Sequence, residues 1–204
     1  MSGMVFLDVD TQVDFMRRNG ARYVPGADKL VGNLTRLLRA AHENGVPVVA
    51  TLDTHMPDDP EFAIHLPHCI DRTPGHRKIP ETVFEPWRRI VLKRQEVVYR
   101  LGETLVVEKN RHSLFDNMNA DDVLKAVGAR EVAVMGVATD YGVLAAALGL
   151  RQRGIDVLLV TDAIAPVDPA AGERALAEMD AAECMFVTTD QVLALLDTAT
   201  TAKE

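Results

Sequence analysis

Cysteine is almost missing from this chain. Its 204 residues carry two, Cys69 and Cys184, which excludes a disulfide framework and makes a cytoplasmic location the default expectation. Long hydrophobic runs are missing too. None approaches the roughly 20 residues that a bilayer span needs, and the N-terminus has no basic segment ahead of an apolar stretch. Basic charge is in deficit: the net charge of −8 argues against nucleic acid or an anionic membrane as the main partner. Repeats and low-complexity segments are also lacking. What is present is ordinary for a globular protein, with 48% hydrophobic and 25% charged residues. The length fits one large domain over 1–204 with a sizeable core, and the polar tail 198–204 is expected to fray.

Apolar bursts alternate with amphipathic stretches along the chain. Met4 to Asp10 reads as a strand buried on both faces, although Asp8 inside it needs a partner. Asp28 to Asn44 places Leu30, Leu34, Leu37, Leu38 and Ala41 on one helical face, and Gly45 stops it. Further strands are expected at Val46–Leu52, Arg89–Leu92, Thr104–Val107, Val132–Val137, Asp156–Val160 and Cys184–Val187. Helices are expected at Asp121–Val127, Asp140–Arg153, Asp168–Ala182 and Asp190–Leu196. A loop from about 53 to 86 holds most of the ten prolines and several histidines; loops this long inside a domain are usually functional. The alternation predicts an α/β fold, with βαβ units building a parallel sheet covered by helices on both faces.

Ligands collect at the carboxyl ends of the strands of such a sheet. That edge would gather Asp10, Asp53, Lys109 and the turn Thr139–Gly142 from distant parts of the sequence. Asp10 ends a strand, where it could do chemistry or merely cap a turn. Asp53 and His55 point to one side in extended backbone. With Glu61 and His68 they could hold a divalent metal, zinc first and iron or manganese next, or belong to a solvated polar loop. Lys109 near Asp10 would keep that carboxylate ionised or stabilise developing negative charge, unless it is a surface lysine. Tyr141 and Gly142 mark a turn whose backbone N–H groups could stabilise an oxyanion, or a position of tight packing. Both cysteines read as packing residues.

Taken together, D-T-Q-V-D-F (Asp10–Phe15), D-T-H (Asp53–His55), P-H-C (Pro67–Cys69), Lys109 and G-V-A-T-D-Y-G-V (Gly136–Val143) resemble the isochorismatase-like cysteine hydrolases. Within them, the set is most similar to nicotinamidases and related amidases. The resemblance runs from the first strand to the last and implies a Rossmann-like three-layer α/β/α fold with a mostly parallel sheet. It implies Asp10 as base, Lys109 as the lysine of an Asp–Lys–Cys triad, and Asp53, His55, His68 and Glu61 as metal ligands. It also implies a non-proline cis peptide at Val137–Ala138 that aims the Ala138 N–H into the oxyanion site. Gln12, Phe15 and Tyr141 would contact a small amide, and a homo-oligomer is compatible with the family, although no stretch of the sequence encodes a legible interface.

The sequence departs from that pattern at the nucleophile. Where the amidases carry cysteine, this chain has Gly142, which has no side chain to attack with. A second departure is His65-Leu66 before Pro67, where nicotinamidases often place an aromatic residue. Three functions are therefore open: an amidohydrolase of small cyclic or aromatic carboxamides impaired by loss of its thiol, a hydrolase that attacks with water and uses Asp10 as acid or base as the isochorismatase branch does, and a non-catalytic small-molecule binding protein.

Overall fold

Alternation of side chains along each strand sets the architecture. In the computed structural model, which describes residues 3–201, β1 (Met4–Val9) sends Val5, Leu7 and Val9 into one apolar layer and Met4 and Phe6 into the other. The same split recurs in β2 (Val48–Asp53), β5 (Glu131–Val137) and β6 (Asp156–Ala165). Strands buried on both faces are nearly continuous in apolar residues, the expected pattern when helices cover both sides. With β3 (Trp87–Ile90), β4 (Thr104–Lys109) and β7 (Met185–Val187) they form one seven-stranded sheet ordered β3-β4-β2-β1-β5-β6-β7, and every pairing is parallel.

The helices α3 (Ala120–Ala126), α4 (Leu144–Arg151) and α5 (Pro169–Ala181) supply the first layer. The second layer comes from α2 (Ala27–Glu43) and α6 (Thr189–Thr201). A one-turn helix, α1 (Val13–Met16), follows β1 directly. Leu34 and Leu37 of α2 are fully buried, and each such leucine contributes roughly 1.5–3 kcal/mol by leaving water. The α/β/α fold expected from the alternation is present, with a sheet that is parallel throughout.

Some boundaries differ for physical reasons. The helix expected from Asp140 begins as a π-helical turn, Thr139–Val143, in which the Val143 N–H reaches back to the Ala138 carbonyl, and regular α4 starts only at Leu144. β6 runs on to Ala165, past the polar pair Thr161-Asp162, because an irregularity between Val134 and Gly136 of β5 resets its register. α6 continues to Thr201, into the stretch expected to fray, and 202–204 lie outside the described residues. Among the described residues no helix is long and apolar enough to cross a membrane.

Asp8, the charge inside β1, does have a partner. The Lys78 Nζ lies 2.9 Å from its carboxylate and the Thr11 hydroxyl donates to it at 3.0 Å. Lys78 belongs to the long loop, so this buried pair ties the loop to the central strand. Two isolated bridges, Gln12 with Lys78 and His55 with Ile70, stitch the same loop down.

Candidate active site and metal centre

Four neighbouring strands, β4, β2, β1 and β5, end along one rim. Asp10 follows β1 with a φ of +48°, a left-handed conformation that Asp tolerates better than most residues. Its backbone N–H donates to Thr51 Oγ1 at 3.0 Å, and that hydroxyl donates back to Asp10 Oδ1 at 2.6 Å. Thr51 thereby fixes the carboxylate from the neighbouring strand. The sequence did not expose this role, since a threonine inside a strand reads as one more β-branched residue.

Asp53 and Lys109 stand opposite each other in the parallel register of β2 and β4. The Lys109 Nζ reaches Asp10 Oδ2 at 2.8 Å and Asp53 Oδ1 at 3.3 Å, and donates to the Arg111 carbonyl at 2.9 Å. All three side chains are buried. Burial works against the Lys109 charge, but the two carboxylates outweigh it and raise the ammonium above its ordinary range. Burial likewise pushes Asp53 up, yet Lys109 and the two imidazoles overcome it and hold this carboxyl well below the usual range. Asp10 goes the other way, raised chiefly by burial against the pull of Lys109, with the Asp53 charge adding to the rise. Asp53 is the firmly ionised carboxylate and Asp10 is the one closest to taking a proton.

Asp53, His55 and His68 offer three ligand atoms within 4.8 Å of one another. His55 Nε2 is 3.1 Å and His68 Nε2 3.4 Å from Asp53 Oδ2. The outer nitrogens explain why: His55 Nδ1 is held by Asp59 Oδ2 at 2.9 Å and His68 Nδ1 by the Leu66 carbonyl at 2.8 Å. Each partner turns an Nε2 inward, the outer-shell arrangement typical of metal-ligating imidazoles. One carboxylate and two imidazoles suit zinc, iron or manganese, so the residues present fit such a cation. Phe62 packs against both rings at centroid distances of 5.4 and 5.8 Å. Glu61 stands at the edge, with Oε1 3.8 Å from His68 Nε2, and is not part of the tight trio.

The turn expected to stabilise an oxyanion follows β5. Gly136 has φ +111° and passes so close to β1 that a Cβ would lie 2.1 Å from the Val9 carbonyl oxygen, so only glycine fits. The next peptide, Val137–Ala138, is cis, and Ala138 and Gly142 both face the cleft. A Cβ added to Gly142 would stand 2.9 Å from Asp10 Oδ2 and 3.0 Å from Val9 Cγ1. Position 142 therefore points at the Asp10 carboxylate.

These groups open into a cleft of about 570 Å³, measured out to its mouth. Phe15 and Tyr141 line it, as do His65, Val24 and Val167. Gln12, expected to touch a ligand, does not line the cleft. It is fully buried: its Nε2 donates to the Asp53 and His76 carbonyls at 2.9 and 2.8 Å, and its Oε1 accepts the Asp53 N–H at 2.7 Å. An uncharged amide that can give and take hydrogen bonds serves as a brace here. His76 is likewise engaged, with Thr54 Oγ1 at 3.0 Å. Cys69 and Cys184 are buried and free, neither lines the cleft, and burial raises both thiols, an environment that disfavours the thiolate.

The chain has relatives among known proteins along nearly its whole length. A profile described as the isochorismatase domain matches residues 4–191. The nicotinamidase of Escherichia coli K12 is 29% identical over 92% of this chain and 96% of its own length. A probable isochorismatase of Pseudomonas chlororaphis is 28% identical over 87% of this chain and 81% of its own. The crystal structure of a pyrazinamidase of Pyrococcus horikoshii in complex with zinc superposes with a TM-score of 0.76 at 28% identity, covering 91% of this chain and 98% of that one.

Proposed function

The chain belongs to the isochorismatase family, and from that premise we propose that it is a nicotinamidase-like amidohydrolase whose cleft takes a small cyclic or aromatic carboxamide, with the covalent nucleophile missing at Gly142. The observation that carries this reading is the direction of that glycine. A side chain there would meet the Asp10 carboxylate, which is where a thiol and its base belong, while Lys109, Asp53 and His68 line the same cleft. The whole of 1–204 serves one such domain.

In this reading Asp10 is the proton carrier, and Lys109 holds it in place and balances its charge. The Ala138 N–H, at the cis peptide beside the cleft, would serve a carbonyl oxygen that gains negative charge. Phe15 and Tyr141 form walls beside the ligand, and Gln12 braces Asp53 from behind. Asp53, His55 and His68, with Glu61 at the edge, would hold a divalent cation, which supplies Lewis acidity toward an oxygen of the substrate or of water. Without a thiol at 142 no thioester forms, and Asp10 has no residue to deprotonate. Loss of a covalent nucleophile generally costs several orders of magnitude in rate.

The test is ammonia release from a panel of aromatic carboxamides by the chain and by Gly142→Cys, both supplied with zinc. The substitution requires the Asp10 carboxylate to yield by a few tenths of an ångström, which a side-chain end can do. A gain of ~10³-fold or more is expected, and no gain with any amide would sink the proposal.

A second reading has its own support. Asp10 is raised by burial, which suits a carboxyl that gives as well as takes a proton, and a probable isochorismatase is among the relatives. Here the chain hydrolyses with water, using Asp10 as acid or base. Turnover by the unmutated chain that disappears in Asp10→Asn supports it, and turnover unchanged in that variant excludes it. Ligand held without conversion by both proteins would mark a binding protein instead.

A further inference from the structure

Among the described residues, half-buried arginines are paired, with one exception. Arg17 meets Glu81 at 2.6 Å, Arg88 meets Glu103 at 2.8 Å, Arg89 meets Asp71 at 2.9 Å and Arg151 meets Asp156 at 2.6 Å. Arg22 is half-buried too, yet among the described residues it has no carboxylate within ion-pair distance. It lines the cleft beside Phe15 and Val24. Its segment is pinned rather than loose, since the Arg22 N–H donates to the Asp14 carbonyl at 3.1 Å and the Val24 N–H to the Phe15 carbonyl at 2.9 Å.

The carboxylates of the cleft are committed elsewhere. Asp10 and Asp53 share Lys109, Asp53 also meets both imidazoles, and Glu61 lies nearest His68. A second guanidinium without a carboxylate partner among the described residues, Arg111, lines the same cleft two residues beyond Lys109. Half-burying a guanidinium without a counterion is unfavourable, and in a chain of net charge −8 carboxylates were available to neutralise it. A planar guanidinium in a small cleft is suited to a bidentate carboxylate.

We infer that Arg22, aided by Arg111, selects a ligand that carries a carboxylate besides the group presented to Asp10. Arg22 and Arg111 are specificity-determining residues, and the ligand is a small amide acid rather than an uncharged amide. This rests on the carboxamide reading above and narrows it.

The chain has no thiol at 142, so binding can be followed by calorimetric titration, with zinc supplied. The probes are 3- and 4-carbamoylbenzoate, their uncharged counterpart benzamide, and benzoate, which lacks the amide. At low ionic strength a carbamoylbenzoate is expected to bind at least tenfold tighter than benzamide. Arg22→Gln should remove that margin, Arg22→Lys should keep part of it, and benzamide should bind all three alike. Arg111→Gln, at an exposed position, should reduce the margin without any risk to folding, and added salt should shrink it. Benzamide binding as tightly as the carbamoylbenzoates, or an equal loss for both in Arg22→Gln, overturns the inference and leaves the carboxamide reading standing. Benzoate binding that depends on Arg22, with no contribution from the amide, keeps Arg22 as the carboxylate-selecting residue but overturns the amide-acid ligand together with the carboxamide reading. No binding by any probe overturns the inference.

Discussion

At the scale of single residues, Lys109 decides the character of the site. One buried ammonium serves two carboxylates at 2.8 and 3.3 Å, so removing it strands both. Lys109→Met is expected to cost about 3–5 kcal/mol, as breaking a buried pair does, measured by urea denaturation of the metal-free chain. It should also raise the Asp10 carboxyl further, since the attraction that opposes burial is gone. A loss under ~1 kcal/mol would mean that the pair is poorly formed. Most of these residues are legible in the sequence itself. Asp10, Asp53 and Lys109 each end an apolar run, and the histidines sit in a proline-rich loop behind one of them. Thr51, Asp59 and Arg22 are not legible there, because their importance lies in what they face across the sheet or the cleft. Gln12 misleads for the same reason: adjacency in sequence to Asp10 does not say which way an amide points.

Among the elements, the π-helical turn Thr139–Val143 does the positioning that an ordinary helix start would not. Its wider loop sets Ala138 and Gly142 on the cleft before α4 begins, and such turns are frequent at functional sites. The sequence marks a turn at Thr139–Gly142 and an Ala- and Leu-rich helix running out of it, but not the π-helical spacing, since a one-residue change in hydrogen-bond spacing leaves no compositional trace. Asp140 of this turn accepts the Val167 N–H at 2.9 Å and the Asp168 N–H at 3.1 Å, and Val167 is part of the cleft wall. Asp168 then caps α5 through the Ala171 N–H at 2.7 Å. Asp140→Ala should therefore lower stability by about 1–2 kcal/mol and weaken ligand binding as well, although Asp140 itself does not line the cleft. Unchanged affinity with lowered stability would confine Asp140 to a scaffold role.

For the whole molecule, metal and pH act in opposite directions. Burial alone would depress His55, but the Asp53 and Asp59 carboxylates lift it to about 9, against about 6.5 in an unfolded chain. The proton is thus held more tightly when folded. Its contribution to stability is complete below about 6.5 and is lost as pH rises through about 9. The chelated protein should melt at lower temperature at pH 9 than at pH 7. Zinc must displace that proton, so its apparent affinity should climb about tenfold per pH unit over the same interval, and the loaded protein should gain in melting temperature relative to the chelated one as pH rises. Parallel melting curves with and without metal across this range would exclude His55 as a ligand. Sheet order, by contrast, is only partly legible in the sequence. The alternation implies parallel strands, but which strand neighbours which is settled by crossovers that the pattern does not encode.

That order, β3-β4-β2-β1-β5-β6-β7, has one more consequence. Ile64 and Leu66 stand far out in solvent, 84% and 72% exposed, on the span between His55 and His68. Severing the backbone there would leave β1 and β2 in one fragment and both of their outer neighbours, β4 and β5, in the other. The smaller piece would be clasped on two sides and could not slide free without the larger one coming undone. The two pieces would have to be assembled jointly, with a shared cation as rivet.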